Sequence, residues 1–380
     1  MLARDRYIER IKTGLARSPV VALLGPRQCG KTTLANIVCE QQESHYFDLE
    51  NYRHAAVLQE AALTNLESLR GLIVLDEIQR QPELFEVLRV LADRDQSDAR
   101  FLVLGSASPT LVRGASETLA GRVAFVDMTG FDITEIQAAN YQILWTRGGF
   151  PPSYLSPDDT GSFEWRQDFI RTFLERDIAL LGISINRENL RRFWIMVAHY
   201  HGQRWNAAEF AQSMGCSEAT ARRYLDCFTG AYMVRQLQPW HENLKKRQVK
   251  SPKIYIRDSG ILHALLSLQR FDDLISHPKV GPSWEGFVIE QISAITRSRD
   301  LYFWASHGGA ELDLLLFQHG KRLGIEIKYT DAPRISKSMH ITKEDLNLDR
   351  LYVVYPGVDT FELGDGITAL SLHDLDRYIA

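Results

Sequence analysis

Short apolar runs alternate with helix-period segments through the first third of the chain. Residues 20–24, 45–49, 72–75, 101–104 and 123–126 read as five strands, and several are apolar at every position rather than at every second one. A strand apolar on both faces belongs to a parallel sheet covered by helices, and the helical patterns at 31–40 and 84–92 supply such cover. From 131 to 186 the period turns helical, broken by Gly148-Gly149-Phe150-Pro151-Pro152, a turn with the make-up of a hinge. Residues 170–181, with Phe173, Leu174, Ile178 and Leu181, read as an amphipathic helix. A small, mostly helical piece with a basic tail follows, and strands return at 301–304, 312–317, 323–327 and 351–354. These changes of period divide the chain at 1–135, 136–188, 189–266 and 267–380.

Composition narrows the class. The 380 residues are 45% hydrophobic and 24% charged, so the chain buries real cores and is not a disordered or collagen-like polymer. Lys plus Arg is 44 and Asp plus Glu is 48, a net charge of −4, which excludes nucleic-acid binding by bulk charge and leaves room for a local basic patch. Four cysteines, Cys29, Cys39, Cys216 and Cys227, are too scattered for a disulfide framework or a Cys-rich zinc site. The charged N-terminus lacks the apolar core of a signal peptide, and no run is long enough to span a membrane. The expectation is a reduced, soluble, cytoplasmic protein with no membrane partner.

Candidate chemistry begins at Gly25-Pro26-Arg27-Gln28-Cys29-Gly30-Lys31-Thr32, which fits G-x-x-x-x-G-K-[ST] between a strand and a helix. Backbone N–H groups of such a loop cradle a phosphate, helped by the positive end of the following helix. Lys31 reaches the β/γ oxygens, Thr32 offers its hydroxyl to Mg²⁺, and Thr33 follows as a further contact. A second strand, residues 72–75, ends in Asp76 and Glu77. Asp76 is the candidate Mg²⁺ holder and Glu77 the candidate group that orients or deprotonates water; the plainer alternative is that Glu77 caps the next helix. Ser106, and after it Ser108, are candidate sensors at the end of the next strand. Arg122 is either a finger completing a neighbour's site or a surface residue at a strand start.

Together Gly-Pro-Arg-Gln-x-Gly-Lys-Thr-Thr, Leu-Asp-Glu-Ile-Gln, Gly-Ser-Ala-Ser and Leu-Ala-Gly-Arg resemble the prokaryotic AAA+ type ATPases whose C-terminal half is a domain of unknown function. Gly148-Gly149-Phe150-Pro151, Glu175-Arg176-Asp177, Lys250-Ser251-Pro252-Lys253 with Asp258, and Trp284-Glu285-Gly286-Phe287-Val288-Ile289-Glu290 fit the same pattern. The resemblance implies an α/β fold: a P-loop NTPase (AAA+) parallel-sheet domain, a winged-helix region and a restriction-endonuclease-like α/β domain. It also implies ATP and Mg²⁺ as cofactors, and assembly into a homo-oligomer such as a hexamer.

Residues 205–217 read as a short helix, a Gly215 turn and a Ser217 N-cap, and 218–225 start a second helix. Thr220, Arg222 and Arg223 then stand where a helix-turn-helix touches DNA. Lys245, Lys246, Arg247, Lys250, Lys253 and Arg257 form a basic run suited to a wing on phosphates. The same module also serves as a protein-binding surface. Near the end, Glu290, Asp313, Glu326 and Lys328 resemble the acids and lysine of the PD-(D/E)xK nuclease superfamily, with Leu312 where a proline is usual. Period two puts Glu326 and Lys328 on one face, which a plain ion pair on a sheet also explains. In the nuclease reading Glu290, Asp313 and Glu326 converge on a divalent ion beside Lys328. Three functions follow in order: ATP hydrolysis coupled to action on DNA, an ATP-gated metal-dependent DNA nuclease, and a nucleotide switch that binds a protein partner.

Overall fold

In the computed structural model of the chain all residues are described except 1, 3, 95–97, 107–108, 137–139, 178–185, 243–248 and 299, together with the side chains of 106, 109–113, 176 and 177. The chain forms two units, Met1–Gly130 with Gly230–Tyr232, and Phe131–Thr229 with Met233–Ala380.

Five strands, β1 (Val20–Gly25), β2 (Ser44–Asp48), β3 (Leu72–Asp76), β4 (Arg100–Ser106) and β5 (Val123–Asp127), build the first unit. They pair in parallel in the order β2-β3-β4-β1-β5. Both faces of β1 are buried because its side chains alternate between two cores: Val20, Ala22 and Leu24 pack with Phe101 and Leu88, Val21 and Leu23 with Ile11 and Leu34. Each of these Val, Leu, Ile and Phe side chains contributes about 1.5–3 kcal/mol by leaving water. The chain leaves β1 for β2 on one side of the sheet, whereas β5 lies on the other. The loop after β1 therefore opens at the switch in strand order, where an α/β sheet offers a crevice.

The second unit opens with helices. Asp159–Thr172 begins earlier than the apolar pattern suggests, capped by the Asp158 side chain on the Gly161 N–H at 2.7 Å, and Ile178 and Leu181 of the expected helix lie outside the described residues. It carries Phe169 into a chain of rings that continues through Phe173, Trp194, Phe228 and Phe193. Ala207–Met214, the left-handed Gly215 (φ 65°) and Glu218–Gly230 form the helix–turn–helix anticipated above, with Phe210, Ala221, Leu225 and Phe228 buried. Among the described residues the strands of this unit are β6 (Gln203–Arg204), just before that pair of helices, then β7 (Val234–Pro239), β8 (Lys253–Ile256), β9 (Leu301–Ala305), β10 (Glu311–Gln318), β11 (Lys321–Ile327), β12 (Arg350–Tyr355), β13 (Phe361–Gly364) and β14 (Ile367–Ser371). Their order is β13-β14-β12-β11-β10-β9-β7-β8-β6 in one mixed sheet. Strands on either side of residue 266 thus join in a single sheet, through β7 running parallel to β9 with Gln238 opposite Tyr302. His319 and Gly320, both at positive φ, turn β10 into β11 in a two-residue hairpin.

The Gly-Pro turn at 148–152 is an anchored joint inside this unit. The Gly149 N–H donates to Asp258 Oδ2 at 2.8 Å, and Asp258 also caps Ser259–Leu265 through the Ile261 N–H at 2.9 Å. A Cβ on Gly148 would lie 2.1 Å from Asp258 Oδ1, and one on Gly260 2.1 Å from the Arg147 carbonyl, so both must be glycine. Fully buried Arg166 donates to the carbonyls of Thr146 and Gly260 beside it.

Candidate functional site

The crevice after β1 holds the phosphate loop. Gly25 ends the strand against the Met128 carbonyl, 2.2 Å from where a Cβ would stand, so only glycine fits. Gln28 (φ 65°) and Gly30 (φ 98°) bend the loop through left-handed geometry into the helix Lys31–Cys39. Cys29 is buried within the loop. Arg4, itself buried, braces the loop from outside: its guanidinium donates to the Cys29 carbonyl at 3.0 Å and to the carbonyls of Thr129 and Gly130 at 3.1 and 2.9 Å. No spacing rule marks Arg4, because its partners are a loop and a strand end far away in the chain.

Lys31 is 6% exposed and donates to the carbonyls of Gly25 and Pro26 at 3.0 and 2.8 Å. Thr32 Oγ1 donates to Asp76 Oδ2 at 2.8 Å, so the hydroxyl and carboxylate named as Mg²⁺ partners face one another. Asp76 also accepts from Tyr46 Oη at 2.5 Å and from the Glu77 N–H at 2.9 Å. Burial and this neighbouring carboxylate push the Tyr46 phenol above its ordinary range, so it stays a donor. Tyr46 was hidden to sequence reading because β2 shows no motif; parallel register puts Asp48 opposite Asp76, and Tyr46 within reach.

Glu77 is left-handed at φ 58°, uncommon for a residue with a Cβ, and this conformation turns its side chain toward the loop. Its carboxylate is 3.7 Å from Arg27 and accepts from Gln79. The Glu77 side chain serves here as loop partner, and it does not accept from the backbone of the short helix Ile78–Arg80. Ser106 ends β4 opposite Gly25, but its side chain and the whole of Ser108 lie outside the described residues. Arg122 precedes β5 at the far end of the strands from the loop, about 20 Å away at 3.3 Å per residue. Its guanidinium grips Asp93 through two bonds, at 2.5 and 2.9 Å, and that partner holds the arginine's pKa above its usual value.

The oxygen pair Thr32–Asp76, the glycine-only cradle and an ammonium held by neutral carbonyls fit Mg²⁺ and a nucleoside triphosphate. Thr32 and Asp76 would hold the ion, which when bound supplies charge to the β- and γ-oxygens. Lys31 would turn from its two carbonyls to phosphate oxygens, while the Glu77 carboxylate lies beside Arg27 of the same loop.

In the second unit Asp313, Glu326 and Lys328 do come together. Lys328 Nζ is 2.9 Å from Glu326 Oε2 and 3.6 Å from Asp313 Oδ2, and that same aspartate oxygen accepts from the Ile327 N–H at 2.9 Å. Burial, then the charge of Asp313, raise the Glu326 pKa to about 8. Glu290 does not join them, a correction to the expected triad. Its carboxylate is held by Arg235 and by Arg257, the latter at 3.0 Å. Glu285 faces the cluster instead; on the helix Val280–Thr296, Glu290 is a turn and a half further on, roughly 140° round.

Lys253 is the second correction, for it is no part of a solvent-facing basic run. It is 5% exposed, with Nζ 3.0 Å from Glu285 Oε1, 2.5 Å from Glu311 Oε1 and 3.8 Å from Asp313 Oδ1. Tyr255 Oη donates to the same Glu285 oxygen at 2.5 Å. With Arg257 on Glu290, two of the six basic residues are internal; Lys250 is exposed, and Lys245, Lys246 and Arg247 lie outside the described residues. Arg222 and Arg223 are exposed on the second helix of the helix–turn–helix, while the Thr220 N–H and hydroxyl are tied to Ser217 Oγ at 3.1 and 2.9 Å. Arg204, Trp205, Asn206, Arg222 and Lys250, with Glu218, line an open cavity of about 510 Å³. Among the described residues no group of three or more His, Cys, Asp or Glu side chains is arranged to hold a metal ion, and no helix is long and apolar enough to cross a membrane.

Matches to known families tile the chain: an AAA domain over residues 17–137, a domain of unknown function (DUF8612) over 138–272 and another (DUF4143) over 280–375. The chain is 49% identical over 370 residues to the uncharacterized protein Rv2008c of Mycobacterium tuberculosis, covering 97% of this chain and 84% of that protein, and equally to Mb2031c of Mycobacterium bovis. Among solved structures, the Walker-type ATPase PABY2304 of Pyrococcus abyssi is similar with a TM-score of 0.46 at 13% identity, over 70% of this chain and 96% of that one.

Proposed function

Because the chain belongs to the family of the mycobacterial Rv2008c protein and is an AAA+ P-loop ATPase, we propose that it couples Mg²⁺-dependent ATP hydrolysis to action on DNA, held through the helix–turn–helix of its second unit. In this reading Lys31 and the loop from Gly25 to Thr33 bind the phosphates, Thr32 and Asp76 hold Mg²⁺, and Glu77 activates water. The observation that carries the DNA part is the cavity at the helix–turn–helix. It brings Arg204, Arg222 and Lys250 together with Tyr200, the buried Trp205 and a helix start at Asn206. Three cations lining one cavity are the equipment for a phosphate backbone. The single acid there, Glu218, is 3.8 Å from Arg222 and leaves a net positive lining.

The antiparallel pair β7–β8 after the helix–turn–helix supports the winged-helix reading, and the end sheet carrying Asp313, Glu326 and Lys328 supports a restriction-endonuclease-like fold. Arg122 stands too far from its own loop to serve it, so its finger role requires the nucleotide of a second copy and hence an oligomer.

DNA binding measured by anisotropy across a salt series tests the proposal. Arg222→Ala with Lys250→Ala is expected to weaken binding to unrelated sequences alike and to reduce the salt slope by about 2, since each phosphate contact contributes about one. Unchanged affinity and slope would transfer the helix–turn–helix to a protein partner.

A further inference from the structure

We propose that Lys253 is the resident cation of the end domain's acidic pocket, occupying the place a divalent metal takes in a nuclease, and that removing its charge turns the pocket into a divalent-cation site. This proposal is independent of the DNA reading. It starts from a misfit. A PD-(D/E)xK-like site calls for acids whose free oxygens converge on a hard cation, which wants about six oxygen ligands. Here most of the converging oxygens are already engaged, and Glu326 Oε1 is buried without a hydrogen-bond partner. Glu285 Oε1 accepts from both Lys253 and Tyr255, at 3.0 and 2.5 Å, and Glu311 Oε1 is 2.5 Å from Lys253. Asp313 is shared between Lys253 at 3.8 Å and Lys328 at 3.6 Å, and Glu326 is paired to Lys328 at 2.9 Å.

The ammonium is placed by the fold and does not arrive by chance rotation of a surface side chain. Lys253 opens β8, which lies between β6 and β7, with Arg204 and Leu237 as its register partners. Its Nζ also stands 5.5 Å from the centre of the Phe303 ring on β9, a further attraction for a cation. Leaving the pocket would strand the carboxylates of Glu285 and Asp313, both largely buried, so the lysine stays. A divalent ion entering beside it would meet two ammonium groups within a few ångströms, in surroundings that screen charge weakly.

Three acids of the pocket come from two places, Glu285 on the helix and Glu311 and Asp313 on β10, and Lys253 comes from a third. The lysine therefore clasps β8, β10 and the helix together. Once that charge is gone, the same acids present hard oxygens from two elements, with Tyr255 beside them.

The test is Mn²⁺ binding to the full nucleotide-free chain, read from the loss of the free-ion electron paramagnetic resonance signal, with melting temperature alongside. Wild type is expected to take up no Mn²⁺ at the end domain and to melt at the same temperature with or without the ion. Lys253→Met is expected to gain one Mn²⁺ site at least tenfold tighter than any in wild type, which Asp313→Asn in the same chain removes. If Lys253→Met fails to fold alone, millimolar Mn²⁺ should restore its folding, because the ion replaces the missing charge. The proposal is overturned if wild type already binds Mn²⁺ at a site that Asp313→Asn removes. It is equally overturned if folded Lys253→Met gains no site, or if an unfolded one is not rescued by the ion.

Discussion

Two lysines in this protein are almost equally buried, Lys31 at 6% and Lys253 at 5% exposed, and they sit in opposite electrostatic situations. Lys31 donates to two neutral carbonyls of its own loop, so its charge is solvated but not cancelled. Lys253 faces three carboxylates, so its charge is answered before any ligand arrives. Burial alone thus says little about function. A buried cation among carbonyls attracts a phosphate, whereas one among carboxylates locks strands together. The two units repeat that contrast. Polar groups of the first converge on a crevice with Thr32, Asp76 and Glu77 at its rim, and those of the second close on one another.

Predictions that press on this contrast run from large to small. Lys31→Ala should remove the loop's ammonium, with a loss of about 1000-fold in kcat/KM for ATP, about 4 kcal/mol, in steady-state kinetics. Retained turnover would mean that Lys31 is as locked as Lys253. Lys253→Met should remove the cation shared by Glu285, Glu311 and Asp313 and cost about 3–5 kcal/mol in denaturant unfolding. A neutral effect would show that Lys253 is as dispensable to the fold as Lys31 should be.

Acid should separate the units next. His201 and His263 are buried in the second unit, and burial above all pushes both pKa values down to about 3. Each takes the neutral form: His201 Nδ1 accepts from the Ile256 N–H at 2.9 Å, and His263 stands between the Thr146 carbonyl and Ser283 Oγ at 3.0 and 2.7 Å. A depressed histidine contributes stability above its unfolded pKa of about 6.5 that is lost as pH falls toward 3. The expected loss is about 1.4 kcal/mol per histidine per pH unit across that window. Glu326 works in the opposite sense: with a folded pKa raised to about 8, its contribution is complete below about 4.5 and is lost as pH rises to 8. Calorimetry from pH 7 to 5 should show the second unit melting progressively earlier, and His263→Gln should flatten that trend. A trend confined to the first unit would break the comparison.

The smallest expected effect is on Glu77. Glu77→Gln should still bind ATP but turn over at least about tenfold more slowly, about 1.4 kcal/mol in the barrier. Equal rates for the two proteins would reduce Glu77 to a partner of Arg27.

Legibility followed the range of the interaction. The five parallel strands, the loop from Gly25 to Thr32, the acids ending β3 and the turn at Gly215 were readable because each is written in contiguous residues: a buried strand is apolar throughout, a phosphate loop needs glycines at set spacing, and a helix needs a cap. The pair Glu326–Lys328 was readable too, since a strand repeats every second residue. What no stretch of chain announces is which charges meet. Glu285 rather than Glu290 faces Asp313, Lys253 turns inward from a basic run, and Arg4 and Tyr46 brace a site with no motif of their own. Those outcomes are settled by strand order, register and the turn of one helix. Periodicity and local spacing determine the elements, but only their packing brings distant carboxylates, ammonium groups and carbonyls within a few ångströms, where charge decides whether a site is open or closed.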